Sequence, residues 1–234
     1  MQKKENILLN SLKNLFNNPI IILPSAISLL IIYSLSKISS FFIETQNQYL
    51  WYSWLAFSSL LSLAVLSFSF SVQIHLAGSI INKKNKASMF EGSKFWLKNL
   101  IVMVIIILVF NIIRVFSQIL AFSIGRLLML DIKPAQLIFF LFYFLGLAGI
   151  ILFLTYSSFV LIIKKKSIID SIKNSIKITK KNYILTLSIS IVVFAILSIL
   201  EKIISISLIT ESINMLILVP YLCFLLSEIV AREK

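Results

Sequence analysis

The chain has 234 residues, of which 59% are hydrophobic and 13% are charged, and its formal net charge is +13. Soluble proteins contain roughly 45 to 50% apolar residues, so this composition excludes an ordinary soluble domain and indicates a membrane protein. The positive charge does not indicate nucleic-acid binding, because the lysines form short clusters at the ends of apolar stretches, as expected for Lys and Arg retained in the cytoplasm.

Six apolar segments are long enough to cross a bilayer, since about 20 helical residues span the hydrocarbon core. They cover roughly residues 19–38, 54–81, 100–123, 135–163, 183–200 and 213–230. We therefore predict an all-α fold, a polytopic integral membrane helical bundle. The sixth span is the weakest, because Glu211 interrupts the apolar run before it and Pro220 predicts a kink.

The distribution of basic residues predicts the orientation of the chain. If both termini are cytoplasmic, 17 Lys and Arg residues lie on the inner side and 5 lie on the outer side or in the outer halves of spans. Positive residues are retained in cytoplasmic segments, so this arrangement predicts a multi-pass protein of the cell membrane with both termini inside. Trp51, Tyr52 and Trp54 then form an aromatic belt at the outer interface.

Each odd-numbered span follows a short amphipathic stretch that ends in Asn, which we call an elbow. The three residues, Asn17, Asn99 and Asn182, are 82 and 83 positions apart. This spacing predicts three copies of one unit, an elbow followed by two spans, within a single membrane domain. The units cover roughly residues 1–82, 83–163 and 164–234.

The elbows have helical patterning, most clearly in the third. Its apolar face consists of Ile168, Ile169, Ile172 and Ile176, and the first elbow has a similar face of Leu8, Leu9, Leu12, Leu15 and Phe16. Ser167 with Asp170, and Ser88 with Glu91, have the spacing of helix-capping pairs at the starts of the third and second elbows.

Such helices can lie in the membrane interface, with the apolar face in the acyl boundary and lysines among anionic headgroups. The candidate headgroup contacts are Lys94, Lys98, Lys173, Lys177, Lys180 and Lys181. The alternative is that the elbows are ordinary cytoplasmic connectors, basic because they are inside. The expected partners are the lipid bilayer and its anionic headgroups, with a membrane protein or a second copy as further possibilities.

The stretch IIDSIKNSIKITKKNYILTLSISIVVF joins the third elbow to an apolar span through an Asn. In this it resembles six-span membrane families of unknown function from archaea and bacteria. It is also similar to the membrane domain attached to some glycerophosphoryl diester phosphodiesterases. The resemblance covers most of the chain, but its motifs are weak and largely apolar. It implies a helical membrane domain and no activity, and the soluble phosphodiesterase domain is absent.

Polar residues inside the spans are the candidates for a functional site, because ionisable groups there are costly. Arg114 shares a helical face with Asn111 and Gln118 in the third span. Glu201 lies at a comparable depth in the fifth span and is a possible ion-pair partner of Arg114. The alternative is that both side chains extend separately to the outer interface.

His75 lies in the second span on a face of small and polar residues, with Ala64, Ser67, Ser71, Gly78 and Asn82. Small and hydroxylated residues allow helices to approach closely, so this face predicts helix packing and His75 is expected to be a packed, hydrogen-bonding residue. We include it among the candidate intramembrane polar residues.

No catalytic, nucleotide or metal motif is evident in the sequence, and the only cysteine, Cys223, lies in an apolar run. We therefore expect no enzymatic activity, no cofactor and no metal site. The first hypothesis is a bundle that organises the membrane or associates with lipid or a partner protein. The alternative is a translocator of small molecules, lipids or ions that uses the polar faces of spans 2, 3 and 5.

Overall fold

The computed structural model describes residues 2–44, 47–82, 88–127, 132–203 and 207–233, and no strand occurs within these ranges. The helices are α1 (Gln2–Asn17), α2 (Leu23–Glu44), α3 (Gln48–Ile81), α4 (Met89–Ser93), α5 (Trp96–Leu127), α6 (Ile132–Leu154), α7 (Ser157–Ile163), α8 (Ile168–Lys181), α9 (Tyr183–Ile203), α10 (Ser207–Ile213) and α11 (Val219–Arg232). A 3₁₀ turn, Pro19–Ile22, precedes α2, and a π-helical turn, Asn214–Leu218, joins α10 to α11. The predicted all-helical fold class is confirmed.

Five segments in the described part of the chain are long and apolar enough to cross a membrane: Pro19–Ile43, Gln48–Ile81, Trp96–Leu127, Tyr183–Leu200 and Ile209–Arg232. They correspond to the first, second, third, fifth and sixth predicted spans. The fourth predicted span corresponds to α6, a helix of 23 residues several of whose side chains lie outside the described residues.

Two ends of the bundle can be distinguished. The end at which α1, α4 and α8 lie is called the elbow end, and the opposite end, where α2 finishes and α3 begins, is called the hairpin end. At the hairpin end the Trp54 ring stacks on Phe42 with centroids 4.9 Å apart, and its indole N–H donates to Ser39 Oγ over 2.8 Å. These contacts hold α2 and α3 together as an antiparallel hairpin.

The main core lies at the elbow end. The final third of α3, the whole of α7 and most of α11 are buried against one another, with Leu76, Phe159 and Phe224 completely inaccessible or nearly so. Each of these segments also carries an elbow on its outer side: α4 packs on α3, α8 packs on α7, and α1 packs on α11. The chain is therefore closed at this end, because its first helix contacts its last.

The predicted fourth span is not one helix, and its extension to residue 163 is wrong. The helix breaks at Thr155 and Tyr156, and α7 continues as a separate buried segment. The cause is Ser175 of α8, whose hydroxyl donates to the Phe153 carbonyl over 2.7 Å and accepts from the Tyr156 N–H over 3.2 Å. A hydroxyl inserted into the helical hydrogen-bond ladder is a known cause of such a break.

The predicted irregularity at Pro220 is present as a π-helical turn immediately before α11. Proline has no backbone N–H, and its ring clashes with the carbonyl four residues earlier, so an unperturbed α-helix cannot continue through it. The wider π-turn accommodates the proline ring and the missing N–H, so that Ile209–Arg232 stays one continuous helical segment.

The two predicted caps differ. Ser167 caps α8, because its Oγ accepts from the Asp170 N–H over 3.2 Å and donates to the Asp170 carboxylate over 2.6 Å. The same prediction for Ser88 is wrong: Ser88 precedes α4 but makes no side-chain cap. The Glu91 carboxylate that was expected to join it lies 3.3 Å from His75 Nε2 instead.

Gly92 tests the contact between α4 and α3. A Cβ at this position would lie 2.8 Å from Val72 Cα and 3.1 Å from His75 Cβ, and the first of these atoms is backbone that cannot move independently. We expect Gly92→Ala to lower the free energy of unfolding by about 1 to 3 kcal/mol through overpacking, measured by denaturant titration of the detergent-solubilised protein.

Gly149→Ala in α6 is the matched control, since a Cβ there would meet none of the described residues within 4 Å. This variant should be neutral or slightly stabilised, because alanine is the better helix former. A Gly92→Ala protein as stable as the Gly149→Ala protein would contradict the close approach of α4 to α3.

Candidate functional site

The predicted polar stripe of α5 is exposed. Asn111, Arg114 and Gln118 all lie on the surface of the bundle, and the Asn111 side chain donates to the Ile107 carbonyl of its own helix over 2.9 Å. Arg114 makes no hydrogen bond or ion pair with any other described residue. The stripe therefore does not line an internal pathway in this part of the chain.

The side chain of Glu201 in α9, the predicted partner of Arg114, lies outside the described residues. Elsewhere on α9, Thr186 is buried and its hydroxyl lies 2.9 Å from the Tyr156 hydroxyl. The polar face of this helix thus contributes to the packing of α9 beside the α6–α7 break. The Arg114–Glu201 pair stays a prediction.

His75 lies at the elbow end and is not part of the α5 stripe. Its side chain is 10% exposed, its Nε2 lies 3.3 Å from the Glu91 carboxylate, and its ring stacks near Phe95 with centroids 6.3 Å apart. Starting from the contact of Ser67 with Asn99, α3 runs toward the elbow end and α5 runs away from it. His75 and Arg114 are therefore separated by about 35 Å along the bundle axis.

The candidate headgroup lysines are exposed at the elbow end, as the pattern predicts. Those on α8 are Lys173, Lys177, Lys180 and Lys181, and those beside α4 are Lys94 and Lys98. One of the six has another role: Lys181 Nζ lies 2.6 Å from the Glu233 carboxylate. The buried face of α8 differs from the predicted isoleucine face, since it is formed by Ser171, Ser175, Ile178 and Thr179.

The sequence also places large apolar side chains on the elbows that are not covered by the rest of the protein. On α1, Leu9 is 68% and Phe16 is 76% exposed, on α4 Phe90 is 72% exposed, and on α8 Ile169 is 67% exposed. Each elbow therefore combines an inner face packed on the bundle, exposed apolar side chains and exposed lysines.

A set of hydrogen bonds between helices was not evident from the sequence. The buried Gln73 amide donates to the Ile21 carbonyl over 3.0 Å and to Ser25 Oγ over 2.6 Å. The buried Asn99 amide donates to the Ser67 carbonyl over 3.2 Å. Residue spacing shows only that these side chains lie on a helix face; the choice of partner depends on tertiary packing.

The C-terminal part of α11 and Glu233 contact two of the elbows through a hydrogen bond and an ion pair. Glu228 pairs with Arg232 on α11, and its other carboxylate oxygen accepts from Ser11 of α1 over 3.3 Å. Glu233 accepts from Lys181 over 2.6 Å and from Asn182 over 3.0 Å. The C-terminal segment therefore holds both the first and the third elbow.

These contacts change the ionisation of Glu233. Burial alone would raise the pKa of this carboxyl, but the hydrogen bonds from Lys181 and Asn182, together with the charges of Lys181 and Lys164, bring the pKa below its ordinary value. Lys164 also donates to the Glu233 backbone carbonyl. The ionised form of Glu233 is thus stabilised in the folded protein.

A cleft of about 430 Å³ lies between α2, α3 and the segment that joins α10 to the π-turn. Its polar lining includes Tyr33, Ser36, Glu211 and Asn214, and its apolar lining includes Leu29 and Leu66. Glu211 was noted in the sequence only as an interruption of an apolar run. This interruption is the one feature of the sequence that points to the cleft, because the lining residues come from three segments that are distant in the chain.

Comparisons with protein-family models, with curated proteins and with solved structures gave no match for this chain. Within the described ranges, no group of three or more His, Cys, Asp or Glu side chains converges in a way that could hold a metal ion.

Glu233→Gln tests the C-terminal clamp. Because the folded pKa of Glu233 is lowered, its stabilising contribution is present above the ordinary pKa of 4.5 and is lost as the pH falls through the folded value. At pH 7 we expect the variant to lose about 0.5 to 1 kcal/mol of unfolding free energy. The difference from the wild type should disappear on acidification, when the wild-type carboxyl is itself protonated.

The measurement is a denaturant titration at a series of pH values between 7 and the acid limit of solubility. Lys181→Gln provides the control for the partner: if the two residues form one contact, the double variant should lose less than the sum of the single losses. An equal loss at neutral and acid pH would contradict an ionic contribution of Glu233.

Proposed function

We propose that this chain is a non-catalytic, multi-pass integral membrane protein whose elbows bind anionic lipid headgroups at the cytoplasmic face of the cell membrane. It would cross the bilayer six times, as three elbow-plus-hairpin units, with both termini inside. Its role would be to organise or associate with membrane lipid.

The observation that carries this proposal is the surface of the elbows. Their large apolar side chains, such as Leu9, Phe16, Phe90 and Ile169, are exposed beside exposed lysines. In water this surface would be unfavourable, but at the membrane interface the apolar groups enter the acyl boundary and the lysines meet phosphates. The lysine asymmetry of the sequence favours the inner leaflet, which is the anionic one.

The contacts between helices support the three-unit arrangement. α4 packs on the end of α3, α8 on α7, and α1 on α11, so each elbow contacts the second helix of the preceding unit and the first elbow closes the set. Gly92 approaches Val72, and Ser175 bonds the Phe153 carbonyl. Gly92 and Ser175 are 83 positions apart in the sequence, and the residues that they contact, Val72 and Phe153, are 81 apart. Both values are close to the 82 and 83 positions that separate the elbow asparagines.

The asparagines themselves have different contacts. Asn99 is buried and bonded to α3, Asn182 caps the end of α8 and bonds Glu233, and Asn17 is exposed. The proposed repeat therefore depends on the packing positions of the elbows. The resemblance to the membrane domain of glycerophosphoryl diester phosphodiesterases agrees with this proposal and stays a prediction, as does the translocator alternative.

Replacing Lys173, Lys177 and Lys180 together by Gln tests headgroup binding. Lys181 is left unchanged because it holds Glu233. Each lysine near an anionic surface contributes about 1 kcal/mol, so the triple variant should retain phosphatidylglycerol at least roughly tenfold less than the wild type. The readout is native mass spectrometry of protein released from nanodiscs that contain phosphatidylglycerol and phosphatidylcholine.

The same three positions changed to Arg are the control, because the charge is kept and retention should be preserved. Equal retention of phosphatidylglycerol by the wild type and the Gln variant would show that these lysines are basic connectors that do not bind lipid.

A further inference from the structure

The cleft beside α2 has one polar end and one apolar end. Ser36 lies seven residues beyond Leu29 on α2, about 10 Å nearer the hairpin end. Glu211 similarly lies one turn nearer the hairpin end than Met215 of the π-turn, which also lines the cleft. Along the bundle axis the lining therefore changes from Leu29, Leu66 and Met215, with Asn214 as the one polar residue among them, to Ser36, Glu211 and Ser212.

One charged side chain, Glu211, lines the polar end, and a cation, Lys37, lies beside it on α2, next in sequence to the lining residue Ser36. The Glu211 carboxylate is exposed in the cleft, and Lys37 Nζ lies 5.4 Å from the centroid of the Tyr33 ring, which is also part of the lining. Within the described residues neither charge forms an ion pair, with each other or with another group. A carboxylate in the cleft and a cation over one of the lining rings together complement a ligand that carries both charges.

The position of the cleft restricts the class of ligand. The lining segments belong to the apolar segments Pro19–Ile43, Gln48–Ile81 and Ile209–Arg232, so in a bilayer the cleft opens toward lipid. Its volume of about 430 Å³ falls in the range of about 300 to 1,000 Å³ that is usual for small-molecule sites. An amphiphile lying with its headgroup toward the hairpin end would match the change from polar to apolar lining.

We propose that this cleft binds one zwitterionic phospholipid with a primary ammonium headgroup, taken from the leaflet at the hairpin end. The ammonium donates hydrogen bonds to Glu211, and the phosphate pairs with Lys37. One acyl chain lies against Leu29, Leu66 and Met215. This site is separate from the elbow surface, which faces the opposite leaflet and selects anionic headgroups.

The charge of Glu211 argues against an anionic phospholipid, whose headgroup would be repelled by the carboxylate. A quaternary ammonium has no N–H to donate, so phosphatidylcholine should bind more weakly than phosphatidylethanolamine although the net charge is the same. A comparison of how strongly the two lipids bind therefore distinguishes hydrogen bonding to Glu211 from charge attraction alone.

The test is lipid retention by the full chain in nanodiscs with equal amounts of phosphatidylethanolamine and phosphatidylcholine, read by native mass spectrometry. The wild type should prefer phosphatidylethanolamine by roughly tenfold, as expected for a hydrogen bond to a charged group. Glu211→Gln should remove this preference. Lys37→Gln should lower the retention of both lipids, and Leu66→Trp, which fills the apolar end, should do the same.

Arg126→Gln is the control for Lys37, because Arg126 is an exposed cation at the end of α5 that lies over Phe122 and does not line the cleft. Its lipid retention should equal that of the wild type. Each cleft variant is also reconstituted in the phosphatidylglycerol nanodiscs used for the elbow lysines, where its retention of phosphatidylglycerol should be unchanged and verifies that it is folded.

A wild type without preference for phosphatidylethanolamine would overturn the proposal, and so would a Glu211→Gln protein that keeps the preference. Unchanged retention in Lys37→Gln would rule out the phosphate contact and with it the phospholipid. Since the elbow lysines are tested with phosphatidylglycerol, failure at the cleft and failure at the elbows are distinguished.

Discussion

Hydrogen bonding of polar side chains between helices at the elbow end is the constraint on which the rest of the structure depends. A polar group buried without a partner is costly in an apolar environment, so Gln73, Asn99 and Ser175 fix which helices lie next to them. Gln73 joins α3 to the start of α2, Asn99 joins α5 to α3, and Ser175 joins α8 to the α6–α7 break. Together with the apolar core of α3, α7 and α11, these hydrogen bonds hold the helices together at the elbow end.

Because the helices are held most tightly at the elbow end, the protein has two different surfaces, the elbow surface and the cleft. At the elbow end the central helices are covered by α1, α4 and α8, and the exposed groups there include the lysines and large apolar side chains that suit a membrane interface. The cleft of about 430 Å³ lies on the hairpin side of this core, between the middle of α2, α3 and α10 with the π-turn. The proposed selectivity for anionic lipid at one face and zwitterionic lipid at the other follows from this division of charge.

The sequence predicted the helical class, and five of its six predicted spans coincide with helical segments that are long and apolar enough to cross a membrane, because an apolar stretch of about 20 residues is a strong signal. It also located the first and third elbows and the cap of Ser167, but the second elbow helix, α4, ends at Ser93, and Asn99, which was expected to end it, lies inside α5. It did not predict the break at Tyr156, which depends on a hydroxyl 19 residues later in the chain.

For the polar site, periodicity indicated that Asn111, Arg114 and Gln118 share a face but not that the face is exposed. Glu91 was assigned to Ser88 because the spacing fits a cap, whereas the fold brings it to His75. The cleft could not be predicted, since its lining residues Leu29, Leu66 and Glu211 come from separate segments.

The central claim is that the elbows and the inner helix ends form one tightly packed unit that closes between α1, α8 and α11. Double electron–electron resonance in nanodiscs tests it most directly, with spin labels at Lys13 of α1 and Lys173 of α8, both exposed. A second pair, at Gln48 and Arg126, reports on the hairpin end. Closure predicts a narrow distance distribution for the Lys13–Lys173 pair, which Glu233→Gln broadens because the C-terminal clamp is released. A broad Lys13–Lys173 distribution in the wild-type protein, no narrower than that of the hairpin-end pair, would contradict the claim.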